Sequence, residues 1–368
     1  MDIKVKEEYL AQALKLHRTN PVVDAHLDLA GEVLLRHQAG EREVVKRYYL
    51  PHFKEAALNM VFSSVYVESG NLSRGWENAL EQINALKEDI KGLSGVVLVK
   101  NSVDMDKVLE ENKIGILLYM EGLDCIGEDI DRLDVLYGLG VRGASLTWSR
   151  QNALGRGCCK ASEYRQISGR LTKAGERAVK RLEELSMFLD VSHLNDEGFD
   201  HVCKLAERSF IATHSGSRSV YDNFRNLTDA QILALSGQGG IMGMNGCKYI
   251  AGSLAGNHIE MLCRHIEYEV EKAGPEHVGF GFDLCDSYDQ ARARLKKHSC
   301  SPNVCDGESN KASEKQETGV ERDDCLLNHG QIPVVTAALL QRGMDEDTVK
   351  KIIGGNFIRY LANVISGI

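Results

Sequence analysis

Six side chains able to hold a proton or a metal ion stand at or near the ends of apolar runs. They are His26 and Asp28 in VVDAHLDLA, Glu121 in IGILLYMEG, His193 in MFLDVSH, His214 in FIATHS and Asp283 in HVGFGFD. In the first run, Val22 and Val23 follow Pro21 and read as a strand, because β-branched residues suit a pleated backbone. Strand alternation then puts Asp24, His26 and Asp28 on one face and Ala25, Leu27 and Leu29 on the other. Three titratable groups on one face of a buried strand are costly unless a metal ion or a hydrogen-bond network compensates them. Each of the six alone has an ordinary explanation. A strand-end histidine is commonly a hydrogen-bonded structural residue, Glu121 before Gly122 fits a turn, and Asp283 fits a helix cap. Six such groups at the matching end of five strands are harder to explain that way.

Histidines together with carboxylates suit a borderline divalent ion, zinc first among them. His26, Asp28, Glu121, His193 and His214 are too many for one tetrahedral site of about four ligands. They suit two ions that share a carboxylate. A pair of this kind holds a bridging hydroxide as nucleophile and polarises a carbonyl. Asp283, free of metal, would take the proton of that water and pass it to a leaving amine. This is a hydrolase constellation.

The elements that must position these groups are legible in the rest of the chain. Further apolar runs are MVFSSVYV (60–67), VVLVK (96–100), RGASLTW (142–148) and GIMGMN (240–245), which makes nine candidate strands. Amphipathic stretches such as WENALEQINALKEDIKG, LTKAGERAVKRLEEL and NHIEMLCRHIEYEVEKAG lie between them. Strands alternating with helices imply a parallel sheet with right-handed crossovers. An open doubly wound sheet is disfavoured, because no glycine-rich phosphate loop follows the first strand. The expected fold is therefore α/β, a TIM-like (β/α)8 barrel with VVLVK as an extra strand. In such a barrel, catalytic groups sit at the carboxyl ends of the strands, which is where these six fall. The chain is expected to form one barrel domain over residues 1–368, interrupted after the last barrel strand. There, about residues 287–328 are polar and charge-rich and read as a surface excursion or partly disordered segment. Cys300, Cys305 and Cys325 with His298 match no strong zinc spacing within it.

Composition narrows the partners. The formal net charge is −9 with lysine and arginine scattered, which argues against nucleic acid or an anionic membrane as the main partner. The opening KVKEEYLAQALKLHRTN reads as an amphipathic surface helix rather than a leader, and no apolar run is long enough to span a bilayer. Ten cysteines at irregular spacing read as reduced thiols, so the cytoplasm is the expected location.

Taken in order, the motifs resemble the membrane dipeptidase (renal dipeptidase) family of zinc enzymes, from VVDAHLDLA to IIGGNFIRYLANV apart from the polar insertion. The resemblance implies a TIM-like barrel, two zinc ions and hydrolysis of dipeptides. It implies His26 and Asp28 on one zinc, His193 and His214 on the other, Glu121 bridging them and taking part in catalysis, and Asp283 as acid/base. It also implies that Arg225 in RNLTD binds the terminal carboxylate of a dipeptide, with a D-residue tolerated at the second position. Mammalian members have a histidine in a Leu-Thr-His stretch, where this chain has LTW. Trp148 there is expected to pack against a substrate side chain, and the chain resembles the bacterial, soluble branch. A homodimer is compatible with this reading. Two other readings compete: a related barrel amidohydrolase acting on N-acyl amino acids, cyclic amides or lactones, and a catalytically inactive metal-binding homologue.

Overall fold

The computed structural model describes residues 4–158, 169–252, 258–299 and 324–365. Nine strands follow one another along them: β1 (Val23–Leu27), β2 (Met60–Tyr66), β3 (Val96–Leu98), β4 (Ile114–Glu121), β5 (Val141–Ser145), β6 (Phe188–Asp190), β7 (Ala212–Ser215), β8 (Met242–Met244) and β9 (Val278–Phe280). All pairings between named strands are parallel. One curled sheet runs β1-β2-β4-β5-β6, a second runs β7-β8-β9, and a parallel bridge from Asp190 to Ile211 links them. At the other seam the Phe282 N–H donates to Asp24 Oδ1 at 2.8 Å, tying the exit of β9 to β1. Eight strands thus curl in chain order as a TIM-like barrel. β3 is the extra one. It pairs with Ile114–Ile116 of β4, while β5 pairs with β4 from Leu118 to Glu121, so the two share one edge of that strand end to end.

The barrel is filled from below by rings. Phe62 of β2 packs on Phe188 of β6 at 5.6 Å between centroids and on Phe357 at 5.5 Å, and Tyr119 of β4 packs on Phe188 at 5.7 Å. Phe62, Phe188 and Phe357 are all but fully buried, each contributing about 1.5–3 kcal/mol relative to exposure. Gly143 of β5 leaves the room this requires, because a Cβ there would lie 2.2 Å from the Phe188 ring. Phe357 comes from the helix Asn356–Val364, whose Asn356 Nδ2 donates to the carbonyls of Pro275 (2.7 Å) and Val278 (2.8 Å). The C-terminal helix is thereby pinned under β9.

Two local expectations change. Simple alternation fails along β1, because its register against β2 slips between Asp24 and Leu27. Asp24 does not join His26 and Asp28. Its carboxylate accepts from the N–H of Phe282 and of His26, and its Oδ2 lies 3.0 Å from His329 Nε2. The start of the polar segment is also more regular than read. Residues Asp286–Ser299 form a helix against the helix Leu29–Gln38, with Tyr288 and Ala291 buried at i and i+3. Ser287 Oγ donates to buried Glu32 at 2.7 Å on that neighbouring helix. Cys300 and Cys305 lie outside the described residues, as does the His298 side chain, whereas Cys325 is buried. Among the described residues no helix is long and apolar enough to cross a membrane.

Candidate metal centre

The carboxyl ends of the strands bring the six groups together. Asp28 follows β1 directly, Glu121 ends β4, His214 is on β7, and His193 and Asp283 each stand three residues beyond their strands, β6 and β9. His193 and Asp283 hold left-handed backbone angles, φ +70° and +54°, which a non-glycine residue adopts only under constraint. Gly122 turns the chain away after Glu121 at φ +81°, and a Cβ there would meet Trp148 N at 2.8 Å. A glycine after Glu121 is thus a geometric requirement of this corner.

Glu121 lies between two donor sets. Its Oε1 is 2.8 Å from His193 Nε2 and 3.4 Å from His214 Nε2, and its Oε2 is 4.0 Å from His26 Nε2. On the far side, His26 Nε2 lies 3.7 Å from Asp28 Oδ1 and 3.3 Å from Asp283 Oδ1. Ligand atoms of His26, Glu121 and His214 fall within 4.8 Å of one another, and so do those of His26, Asp28 and Asp283. Each histidine turns Nε2 inward and rests Nδ1 against a hydroxyl: Tyr119 for His26, Ser149 at 2.7 Å for His193, Thr213 at 2.8 Å for His214. Outer hydroxyls of this kind set ring orientation in metal sites.

Burial and charge act oppositely on the two sides. For His193 and His214, burial drives the pKa well below the usual value, helped by the nearby Arg225 and His26 charges, so both rings are neutral. Burial would do the same to His26, but the carboxylates of Asp283, Glu121 and Asp28 override it and hold His26 up at about 10. Burial raises Glu121 well above the carboxylate range despite His26, and it raises Asp28 as well. For Asp283 burial is outweighed by His26 and by Asn245, whose Nδ2 donates to Oδ2 at 3.0 Å, and the pKa falls.

These residues fit a pair of divalent ions. His26 Nε2 is buried and has no hydrogen-bond partner among the described residues. The Nε2 atoms of His193 and His214, neither a cation, face each other at 2.9 Å. Three carboxylates converging on one imidazole mark a place where positive charge is favoured. The donor set is nitrogen and oxygen, as zinc takes.

The centre is the floor of a cavity of about 910 Å³ lined by Tyr66, Trp148, Arg150, Arg225, Tyr249 and Tyr288 among others. Trp148 stacks on His193 with centroids 5.7 Å apart and lies 5.2 Å from Tyr66. Arg225 is 5 % exposed, not a surface arginine of a polar loop, and its Nη2 donates to the His214 carbonyl at 2.9 Å. Sequence reasoning missed Tyr119, Ser149, Thr213, Asn245 and Arg150, which touch the six groups or wall the cavity. Arg150 donates to Asp124 at 2.9 Å and to the Val67 carbonyl at 2.6 Å.

Known proteins resemble this chain over most of its length. Mouse dipeptidase 3 is 27% identical over 370 residues, covering 96% of this chain and 66% of its own length. A protein of Acinetobacter calcoaceticus is 28% identical over 201 residues, so the chain spans just under two thirds of the length of these curated relatives. Among solved structures, the metallopeptidase dipeptidase AC superposes with a TM-score of 0.78 at 25% identity, covering 95% of this chain and all of that one. A metallopeptidase of Rhodobacter sphaeroides, solved with a phosphinate mimic of L-Ala-D-Ala, has the same fold, with a TM-score of 0.76, 23% identity and coverage of 94% and 99%. The family model for membrane dipeptidase, peptidase family M19, matches residues 10–326, and the chain belongs to that family.

Proposed function

We propose that this protein is a binuclear metallo-dipeptidase that hydrolyses L-Xaa-L-Xaa and L-Xaa-D-Xaa dipeptides. One observation carries the reading: Glu121 offers one oxygen to the His193/His214 set and the other to His26, whose buried Nε2 makes no hydrogen bond among the described residues and faces carboxylates instead. His26 and Asp28 would hold one zinc ion, His193 and His214 the other, and Glu121 both. When bound, such a pair supplies a water nucleophile at neutral pH and Lewis-acid polarisation of the scissile carbonyl.

The chain's own residues do the rest. Asp283, held by Asn245 through Oδ2, keeps Oδ1 toward the centre in its ionised form, as a general base requires. It takes the proton of the attacking water and returns it to the leaving amine. Arg225 binds the substrate's terminal carboxylate, since a guanidinium matches a carboxylate in charge and shape. A longer chain would carry a neutral amide where that carboxylate must sit. Trp148 and Tyr66 form an apolar wall for a side chain. The free thiols of Cys125, Cys203, Cys247, Cys263 and Cys285 support a cytoplasmic location.

The test is metal analysis combined with a substrate panel. About two equivalents of divalent metal are expected, with cleavage of free dipeptides and poor cleavage of tripeptides and C-terminal amides. Preference for N-acyl amino acids, cyclic amides or lactones would instead select a related amidohydrolase. Absence of stoichiometric metal, with no activity after zinc is restored, would overturn the reading.

A further inference from the structure

Asp190 ends β6 and is fully buried. Its Oδ1 accepts the backbone N–H of Ser192 at 2.8 Å and of Thr213 at 3.0 Å, which fixes the carboxylate in the plane between β6 and β7. Its Oδ2 accepts the Thr213 hydroxyl at 2.6 Å. The same hydroxyl oxygen lies 2.8 Å from His214 Nδ1. A hydroxyl has one proton to donate, and a carboxylate can only accept. Tyr119 and Ser192 hydroxyls, 3.4 Å from Thr213 Oγ1, compete weakly for that proton against a carboxylate at 2.6 Å.

The consequence falls on His214. Thr213 donates to Asp190 and can only accept from the ring, so Nδ1 carries the ring proton. Nε2 is then left with its lone pair, at the atom that faces Glu121 Oε1 and His193 Nε2. We infer that Asp190 is a positioning residue that acts through Thr213 to hold His214 in the tautomer able to ligate a divalent cation. The inference rests on the metal reading above for its purpose, but the relay itself is a statement about protons in the metal-free protein.

A merely structural role for Asp190 is the competing account, because Asp190 itself forms the bridge to Ile211 that joins the sheets here. Asp190→Asn separates the two. Its Oδ1 still accepts both amide N–H groups, so the seam is kept. Its Nδ2 donates to Thr213 Oγ1, which turns the hydroxyl toward His214 Nδ1 and moves the ring proton to Nε2. A related exchange of carboxylate for amide behind a catalytic histidine leaves geometry intact and selects the wrong tautomer in serine proteases.

The experiment uses the full chain, stripped of metal. Imidazole ¹⁵N shifts report the His214 tautomer, and competition with a chromophoric chelator reports Zn²⁺ affinity. The expected result is an Nδ1–H ring in the native protein, an Nε2–H ring in Asp190→Asn, and a fall in affinity of about 10–100-fold for one ion of the pair. The same Nδ1–H ring in both proteins would overturn the inference. A switched tautomer in a protein that never binds zinc would uphold the relay while sinking the metal reading, so the two failures are distinct. Should Asp190→Asn not fold, Thr213→Ser and Thr213→Val carry the test. Serine keeps the relay and should keep native affinity, whereas valine should lose about tenfold or more. Equal affinities in those two variants would overturn the inference.

Discussion

His17 and His265 are as deeply buried as His26 and His214, yet they sit in a different kind of surrounding. Between the helices Glu7–Thr19 and Ile332–Gln341, His17 Nδ1 donates to the Ala56 carbonyl at 2.8 Å, and Nε2 accepts from Thr336 Oγ1 at 2.8 Å. In the helix His258–Ala273, His265 Nδ1 accepts the Ser217 N–H at 3.0 Å and Nε2 donates to the Ala251 carbonyl at 3.1 Å. Both rings are complete within the protein. At the mouth of the barrel one nitrogen of each ring is similarly held by a hydroxyl, but the other is turned toward more donors. Burial therefore does not mark a functional histidine. What marks it is a second nitrogen that the fold has aimed and left to something else.

The sharpest way to break this comparison is to alter the mouth and ask which property fails. Asp283→Asn should keep the metal and the substrate affinity while lowering turnover by roughly 10²–10⁴-fold, as for loss of a general base. His193→Ala should do the reverse, weakening metal binding by more than the ~10–100-fold expected of an outer-shell change. Metal content and steady-state kinetics on each variant decide the matter. Loss of metal from Asp283→Asn would make that residue a ligand and redraw the division between the two donor sets.

How much of this could be read in advance depends on the length scale of the signal. His26, Asp28, Glu121, His193, His214 and Asp283 were legible because each closes a short apolar run, and β/α alternation puts those ends on one face. The extra strand was legible because it was one run too many for an eight-stranded barrel. Tyr119, Ser149, Thr213 and Asp190 were not, because a hydroxyl or a lone aspartate in a strand carries no pattern. Only barrel closure brings residue 119 to 26 and residue 149 to 193. Asp24 misled for a related reason: the register slip in β1 changes which residues share a face, and nothing in VDAHLD signals it. The helix at Asp286–Ser299 was obscured by its charge, since its buried positions are few.

A smaller effect is expected at the wall of the cavity. Arg225→Ala should erase the preference for a free terminal carboxylate, at a cost of about 1.5–3 kcal/mol in kcat/KM, the worth of a charged hydrogen bond. Metal content should not change, since Arg225 lies in the cavity wall and offers no ligand atom. The measurement is kcat/KM for a dipeptide and its amide, in native enzyme and variant. If the native enzyme cuts both equally fast, Arg225 is no anchor, and the mouth selects its substrates by metal and shape alone.

The smallest effect concerns the other region. Burial lowers His17 to about 4, with the Ala56 hydrogen bond opposing it only in part, and lowers His265 to about 4 in the same way. In the unfolded chain a histidine titrates near 6.5. Between those two pH values the unfolded state binds a proton that the folded state refuses, so stability rises with pH there. The contribution is fully present above the unfolded pKa and is lost as pH falls toward the folded one. At about 1.4 kcal/mol per unit, each histidine costs the fold about 2 kcal/mol by pH 5. A His17→Asn variant lacks this proton linkage, though it loses packing at every pH. Denaturant unfolding of variant and native protein, at one fixed metal concentration, should show a stability gap that narrows by about 2 kcal/mol between pH 7.5 and pH 5. The groups at the mouth titrate in both proteins and cancel in the difference. A gap that stays constant would mean that folded His17 accepts a proton as readily as an unfolded one, and the contrast between completed and open histidines would then not hold in energy.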